Sequence, residues 1–167
     1  MRSLAFASLI VLGACSEGGG EQKAAEVDTS KLQLAAGQWQ TVSEVTDMKK
    51  EDDGAPAMKV DKGTKMEASN CVGEAEGKKP PAAVLAGLEN ASCEYQSIYM
   101  SRGRLNASMS CTRPGLNGQI LVGTEGTYTD KTFDLTSNVR TLLAGDGDIS
   151  YNAKVTGSHA GACEAAG

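Results

Sequence analysis

From Cys93 to Val155 the chain is written in alternating runs joined by very short turns, and this pattern decides the fold class. Side chains on a strand point to opposite faces in turn, so an apolar residue at every second position buries one face and wets the other. Cys93–Met100 and Arg104–Cys111 flank Arg102-Gly103, Gln119–Thr129 and Thr132–Leu143 flank Asp130-Lys131, and a further turn falls at Gly145-Asp146-Gly147. Turns this short join antiparallel neighbours, because a parallel pair needs a crossover of a dozen residues or more. Upstream, Gly37–Val45 places Trp39, Thr41, Ser43 and Val45 on one face, and Thr64–Ala68 forms a short strand leading to Cys71. Met48–Lys62 is charged and turn-rich and reads as an exposed loop. Pro80-Pro81 opens a short helix, Ala82–Leu88, since proline is tolerated in a first helical turn. The expected architecture is mainly β: an antiparallel meander of six or seven strands, curled into a half or closed barrel, with one short helix. Curling protects the sheet edges. A two-sheet sandwich is the alternative.

Strand registers follow from the turns. With Ser101-Arg102-Gly103 as a three-residue loop and Gly103 left-handed, Met100 faces Arg104, Tyr99 faces Leu105, Ser97 faces Ala107, Tyr95 faces Met109 and Cys93 faces Cys111. That register leaves Ile98 and Met100 on the polar face. Around Asp130-Lys131, Tyr128 faces Phe133, Gly126 faces Leu135 and Val122 faces Val139. Around Gly145–Gly147, Leu143 faces Ile149, Thr141 faces Tyr151, Val139 faces Ala153 and Ser137 faces Val155. All three registers agree on the inward face. Asp146 and Asp148 read as turn formers. Trp39 is the largest apolar surface and the expected core anchor; a ligand-stacking platform is its alternative role.

The start of the chain speaks to location. Arg2 precedes an apolar run, Leu4–Leu12, which is long enough for a signal peptide and too short to span a bilayer as a helix. Leu12-Gly13-Ala14-Cys15 resembles the bacterial lipobox. The resemblance implies cleavage before Cys15 and acylation of that cysteine. It divides the chain into a signal peptide (1–14), a lipidated cysteine with a flexible tether (15–31) and a β domain (32–167). The tether holds almost no bulky apolar residue with which to order itself. One acyl chain anchors marginally, at roughly 0.8 kcal/mol per methylene, whereas several hold firmly. Ser16 after the cysteine resembles an outer-membrane sorting signal. The expected place is the periplasm, with the membrane as partner through the lipid.

Setting Cys15 aside leaves Cys71, Cys93, Cys111 and Cys163, an even count that in an exported chain points to two disulfides. The hairpin register favours Cys93–Cys111, leaving Cys71–Cys163; Cys71–Cys93 with Cys111–Cys163 is the rival. Neither a C-x-x-C pair nor zinc-site spacing is present, and His159 is the only histidine. No metal or cofactor is expected. Asp52-Asp53 would hold a cation only with further oxygen ligands, because calcium takes six or more.

Composition narrows function by exclusion. The 167 residues carry net charge −5 with no basic block, which argues against nucleic acid as a partner. No G-x-S-x-G elbow or other catalytic set is recognisable. The expected function is therefore non-enzymatic: a membrane-tethered domain that binds an envelope protein or other envelope component. The alternative is a carrier of a small apolar ligand or lipid inside the curled sheet, which requires a cavity of hundreds of Å³.

The order of motifs resembles the DUF3617 proteins, small exported bacterial proteins of unknown function. The resemblance rests on Gly37-x-Trp39, Cys71 after a short strand, Pro81 before a helix, Cys93 and Cys111 bracketing a hairpin, Gly126-x-Tyr128 before a charged turn and Phe133, and Gly161-x-Cys163. It spans residues 37–163. Met109 stands where that family's pattern has Trp. The family has no established catalytic residues, so the resemblance implies fold class and export alone.

Overall fold

Seven antiparallel strands form a single sheet in the order β2-β1-β7-β6-β5-β4-β3, curled into a half-barrel. The computed structural model describes residues 29–163; the expected signal peptide, Cys15 and the expected tether as far as residue 28 lie outside the described residues. The strands are β1 (Gly37–Lys50), β2 (Lys65–Val72), β3 (Ser92–Ser101), β4 (Arg104–Thr112), β5 (Gly118–Tyr128), β6 (Thr132–Leu143) and β7 (Ile149–Gly161). One helix, α1 (Ala82–Ala86), lies between β2 and β3 in sequence and packs against both of these edge strands as well as β1, β5 and β7. The helix segment thus spans the concave side, and the Thr41 hydroxyl donates to the Val84 carbonyl at 2.9 Å.

Several bounds differ from the sequence reading. Thr29–Lys31, assigned to the tether, form a 3-10 turn, and Leu34 just beyond it is fully buried. The Leu34 N–H donates to the Gly77 carbonyl, and the Tyr128 hydroxyl donates to the Leu32 carbonyl. β1 runs on to Lys50, and β2 extends through Cys71 to Val72. Met58 and Val60, inside the stretch read as an exposed loop, are buried.

The β5–β6 register is the expected one, with Tyr128 opposite Phe133 and Val122 opposite Val139. The β3–β4 hairpin differs near its tip. Arg102 and Gly103 both have positive φ, 50° and 76°, so the turn has two central residues rather than three. Ser101 then faces Arg104, Met100 faces Leu105, Tyr99 faces Asn106 and Ile98 faces Ala107. A bulge between Tyr95 and Ser97 takes up the difference, so that Tyr95 still faces Met109 and Cys93 still faces Cys111. The shift turns Ile98 and Met100 toward the core and leaves Tyr99 62% exposed.

The β6–β7 register also differs. Val139 faces Tyr151, Ser137 faces Ala153 and Leu135 faces Val155, a slide of two residues that preserves the inward face. The slide places Gly157 opposite Phe133, and the Phe133 ring occupies the space where a Gly157 side chain would stand. Phe133 in turn stacks on Trp39 with centroids 5.6 Å apart and planes 11° apart. Gly157→Ala therefore cannot be accommodated without moving the stack. Overpacking of this kind costs about 1–3 kcal/mol, which chemical denaturation would read as a lowered midpoint at unchanged slope.

The inward positions are filled. Trp39, Met109, Ile120, Leu135, Ile149 and Tyr151 are among the largest fully buried side chains, and Val84 and Leu85 of α1 join them. Four small polar residues that face inward, Thr41, Thr124, Ser137 and Thr141, have side-chain partners: the Ser137 hydroxyl, for one, donates to Thr124 Oγ1 at 2.9 Å. Pairing removes most of the cost of burying such groups.

Candidate functional site

Each residue singled out in the sequence has a place in the sheet. Cys93 and Cys111 are cross-strand partners in β3 and β4, at disulfide distance with Cα atoms 4.0 Å apart. Cys71 and Cys163 are also at disulfide distance, with Cα atoms 5.6 Å apart, and link edge strand β2 to the residues after β7. Trp39 is fully buried and its indole N–H donates to the Ala35 carbonyl at 2.9 Å, so it is a core residue and not an exposed stacking platform. His159 meets Trp39 edge-on, and its Nε2 lies 2.9 Å from the Ala36 carbonyl. A carbonyl oxygen only accepts, so Nε2 carries the hydrogen and the ring acts as a strut between β7 and the segment before β1.

The aspartates build a turn clamp. The Asp52 carboxylate accepts backbone N–H bonds from Gly54, Gly147 and Asp148, each at about 2.8–2.9 Å. The Asp148 carboxylate accepts the Thr141 hydroxyl at 2.8 Å and the Leu143 N–H at 3.0 Å. The Ile149 N–H donates back to Thr141 Oγ1 at 2.8 Å. This network takes over from the ladder at the β6–β7 end, beyond the last paired residues Arg140 and Ser150. Asp52 thus serves backbone donors rather than a cation. Among the described residues there is no group of three or more His, Cys, Asp or Glu that could hold a metal ion.

The N–H bonds from Asp148 and Gly147 hold the Asp52 carboxyl below its ordinary value of 3.8. A depressed folded-state pKa contributes stability that is fully present above the unfolded value and is lost as pH falls through the folded one. The β6–β7 end should therefore loosen as the solution is acidified below about pH 4, near the unperturbed carboxylate range. Asp52→Asn should remove this part of the acid dependence; stability measured from pH 7 to pH 2 would show a flatter acid limb.

Surface clefts remain as places for a ligand. One, of about 550 Å³, lies on the outer face of the sheet beside Tyr99, Arg104, Asn106 and Glu125. A second, of about 470 Å³, lies at one end of the half-barrel. The β1–β2 loop supplies Met58, Lys59 and Val60 to it, Glu89 stands after α1, and Arg113 and Leu116 come from the β4–β5 loop. Sequence reasoning missed both. Tyr99 was hidden by the assumed turn length, and Arg113 sits in a loop with no periodic signal. Burial pushes the phenols of Tyr95 and Tyr151 well above the ordinary value of 10.0, so both stay neutral across the physiological range.

No solved structure and no curated protein matches the chain. A family model does: the one described as Protein of unknown function (DUF3617), over residues 34–163. The matched span begins at buried Leu34, covers all seven strands and ends on Cys163, so it is the folded unit itself. The chain belongs to the DUF3617 family.

Proposed function

We propose that this chain is a periplasmic lipoprotein, anchored to the outer membrane through Cys15, whose β domain is a non-enzymatic module that binds an envelope component at its surface. The observation that carries the surface reading is the filled concave side, where Trp39, Met109, Ile120, Leu135 and Tyr151 pack with Val84 and Leu85 of the helix. A chamber for an apolar ligand inside the sheet would need that volume. Export is supported by the leader before Cys15 and by the remaining four cysteines standing in pairs at disulfide distance, the arrangement an oxidising compartment sustains.

Native mass spectrometry of the protein purified from its host envelope tests the binding reading. The expected spectrum contains a stoichiometric complex with an envelope polypeptide or envelope lipid, in addition to the covalent acyl mass. A chain that is bare in every preparation would overturn it.

A further inference from the structure

Arg113 stands apart from the other cations of this domain. Every other Lys and Arg among the described residues is exposed, whereas Arg113 is half-buried. It takes part in none of the three ion pairs among the described residues. Withdrawing a guanidinium from water is costly unless an acceptor meets it. Arg113 lines the end cleft together with Lys59 and Lys65, against a single carboxylate, Glu89, on the cleft wall. Lys65 also pairs with Glu44 outside the cleft at 3.5 Å. The local balance is thus positive on a chain whose net charge is −5.

A separate observation points to the same end of the barrel. The Tyr151 hydroxyl is buried and has no hydrogen-bond partner. Tyr151 is only 2% exposed and is the third residue of β7, which begins at the end of the sheet where β4 gives way to Arg113. Buried polar groups without partners are rare in folded proteins and call for an explanation such as a ligand or ordered water. The cleft also has an apolar part: Met58, Val60 and Met66, which are buried, and Leu116, which is half-buried, line it beside Thr64.

We propose that the end cleft binds an amphiphile through its anionic phosphate or carboxylate group, with Arg113 as the ion-pairing residue and Met58, Val60, Met66 and Leu116 receiving the adjoining apolar part. The guanidinium fork suits either oxyanion, because both accept two parallel N–H bonds. The cleft volume of about 470 Å³ exceeds what a bare inorganic ion would fill. The proposal deepens the surface-binding reading and rests on it only for the ligand's source in the envelope. Native mass spectrometry tests that reading in any case, whereas the titration below tests the cleft alone.

The full chain, oxidised, is titrated by calorimetry with dihexanoyl phosphatidic acid below its micellar concentration, with inorganic phosphate, and with a short-chain maltoside. The phosphatidic acid should bind at least tenfold more tightly than either of the others. Arg113→Gln should weaken it at least tenfold at unchanged circular dichroism, and Arg113→Lys should fall between, keeping the charge without the fork. Equal affinity for inorganic phosphate would mean that the cleft takes a free anion and would overturn the amphiphile. Equal affinity for the maltoside, or binding unchanged in Arg113→Gln, would overturn the role of Arg113. The comparison among the three compounds stands without any variant.

Discussion

Removing the Cys71–Cys163 bridge, as Cys71→Ser with Cys163→Ser, is expected to lower stability more than removing Cys93–Cys111. The first pair is separated by 92 residues and the second by 18. In the chain-entropy model a bridge stabilises by shrinking the unfolded ensemble, by about 4–5 kcal/mol for the long loop and about 3 kcal/mol for the short one. Topology adds to this ranking. Cys71 lies in edge strand β2, which pairs with β1 alone, and its bridge ties that edge to the end of the chain beyond β7. Cys93 and Cys111 are already held opposite each other by the β3–β4 ladder. Guanidinium denaturation of the two double variants checks the ranking. A smaller loss for the Cys71–Cys163 pair would show that chain entropy does not govern the bridges of this domain.

Trp39→Ala should cost about 3–5 kcal/mol, the range for deleting a large aromatic side chain from a packed core. Trp39 is fully buried, stacks on Phe133, meets His159 edge-on and spends its N–H on Ala35. Whole domains are stable by roughly 5–15 kcal/mol, so this single change would take away a large share. Trp39→Phe keeps a ring and loses the N–H bond, and should cost less. The neighbouring Gln38 pairs with Cys71 across the β1–β2 ladder, so the bridge and the tryptophan share an end of the sheet. Their effects should then couple rather than add, which a double-variant cycle would measure. A role for Trp39 as a ligand platform would instead predict lost binding at unchanged stability.

The β5–β6 hairpin shows why much of this fold is legible in the sequence. Its turn is a local affair: the Thr129 side chain accepts the N–H groups of Lys131 and Thr132, and alternation carries the register from there. The tip of β3–β4 was less legible because one residue of turn length was misjudged. The misfit had a visible sign, since Ile98 and Met100 fell on the polar face; a two-residue turn with a bulge beyond it resolves that conflict. The β6–β7 slide left no such sign. It goes with a turn whose Gly147 and Asp148 N–H groups donate to Asp52, 95 and 96 residues away, and no local pattern announces a contact of that span. The end cleft was illegible for the same reason. Met58, Glu89 and Arg113 come from three separate loops, and only the curled sheet brings them together. Gly157 likewise looks like any strand glycine until Phe133 is seen lying across it.

The account turns on an exported chain whose one acylated cysteine is distinct from four cysteines joined in two specific pairs. Non-reducing peptide mapping with intact-mass analysis of host-made protein tests it most directly. The account predicts a chain that begins at Cys15 and carries acyl mass, with Cys71 linked to Cys163 and Cys93 linked to Cys111. An unmodified chain beginning at Met1, free thiols at these four positions, or Cys71 linked to Cys93 would contradict it.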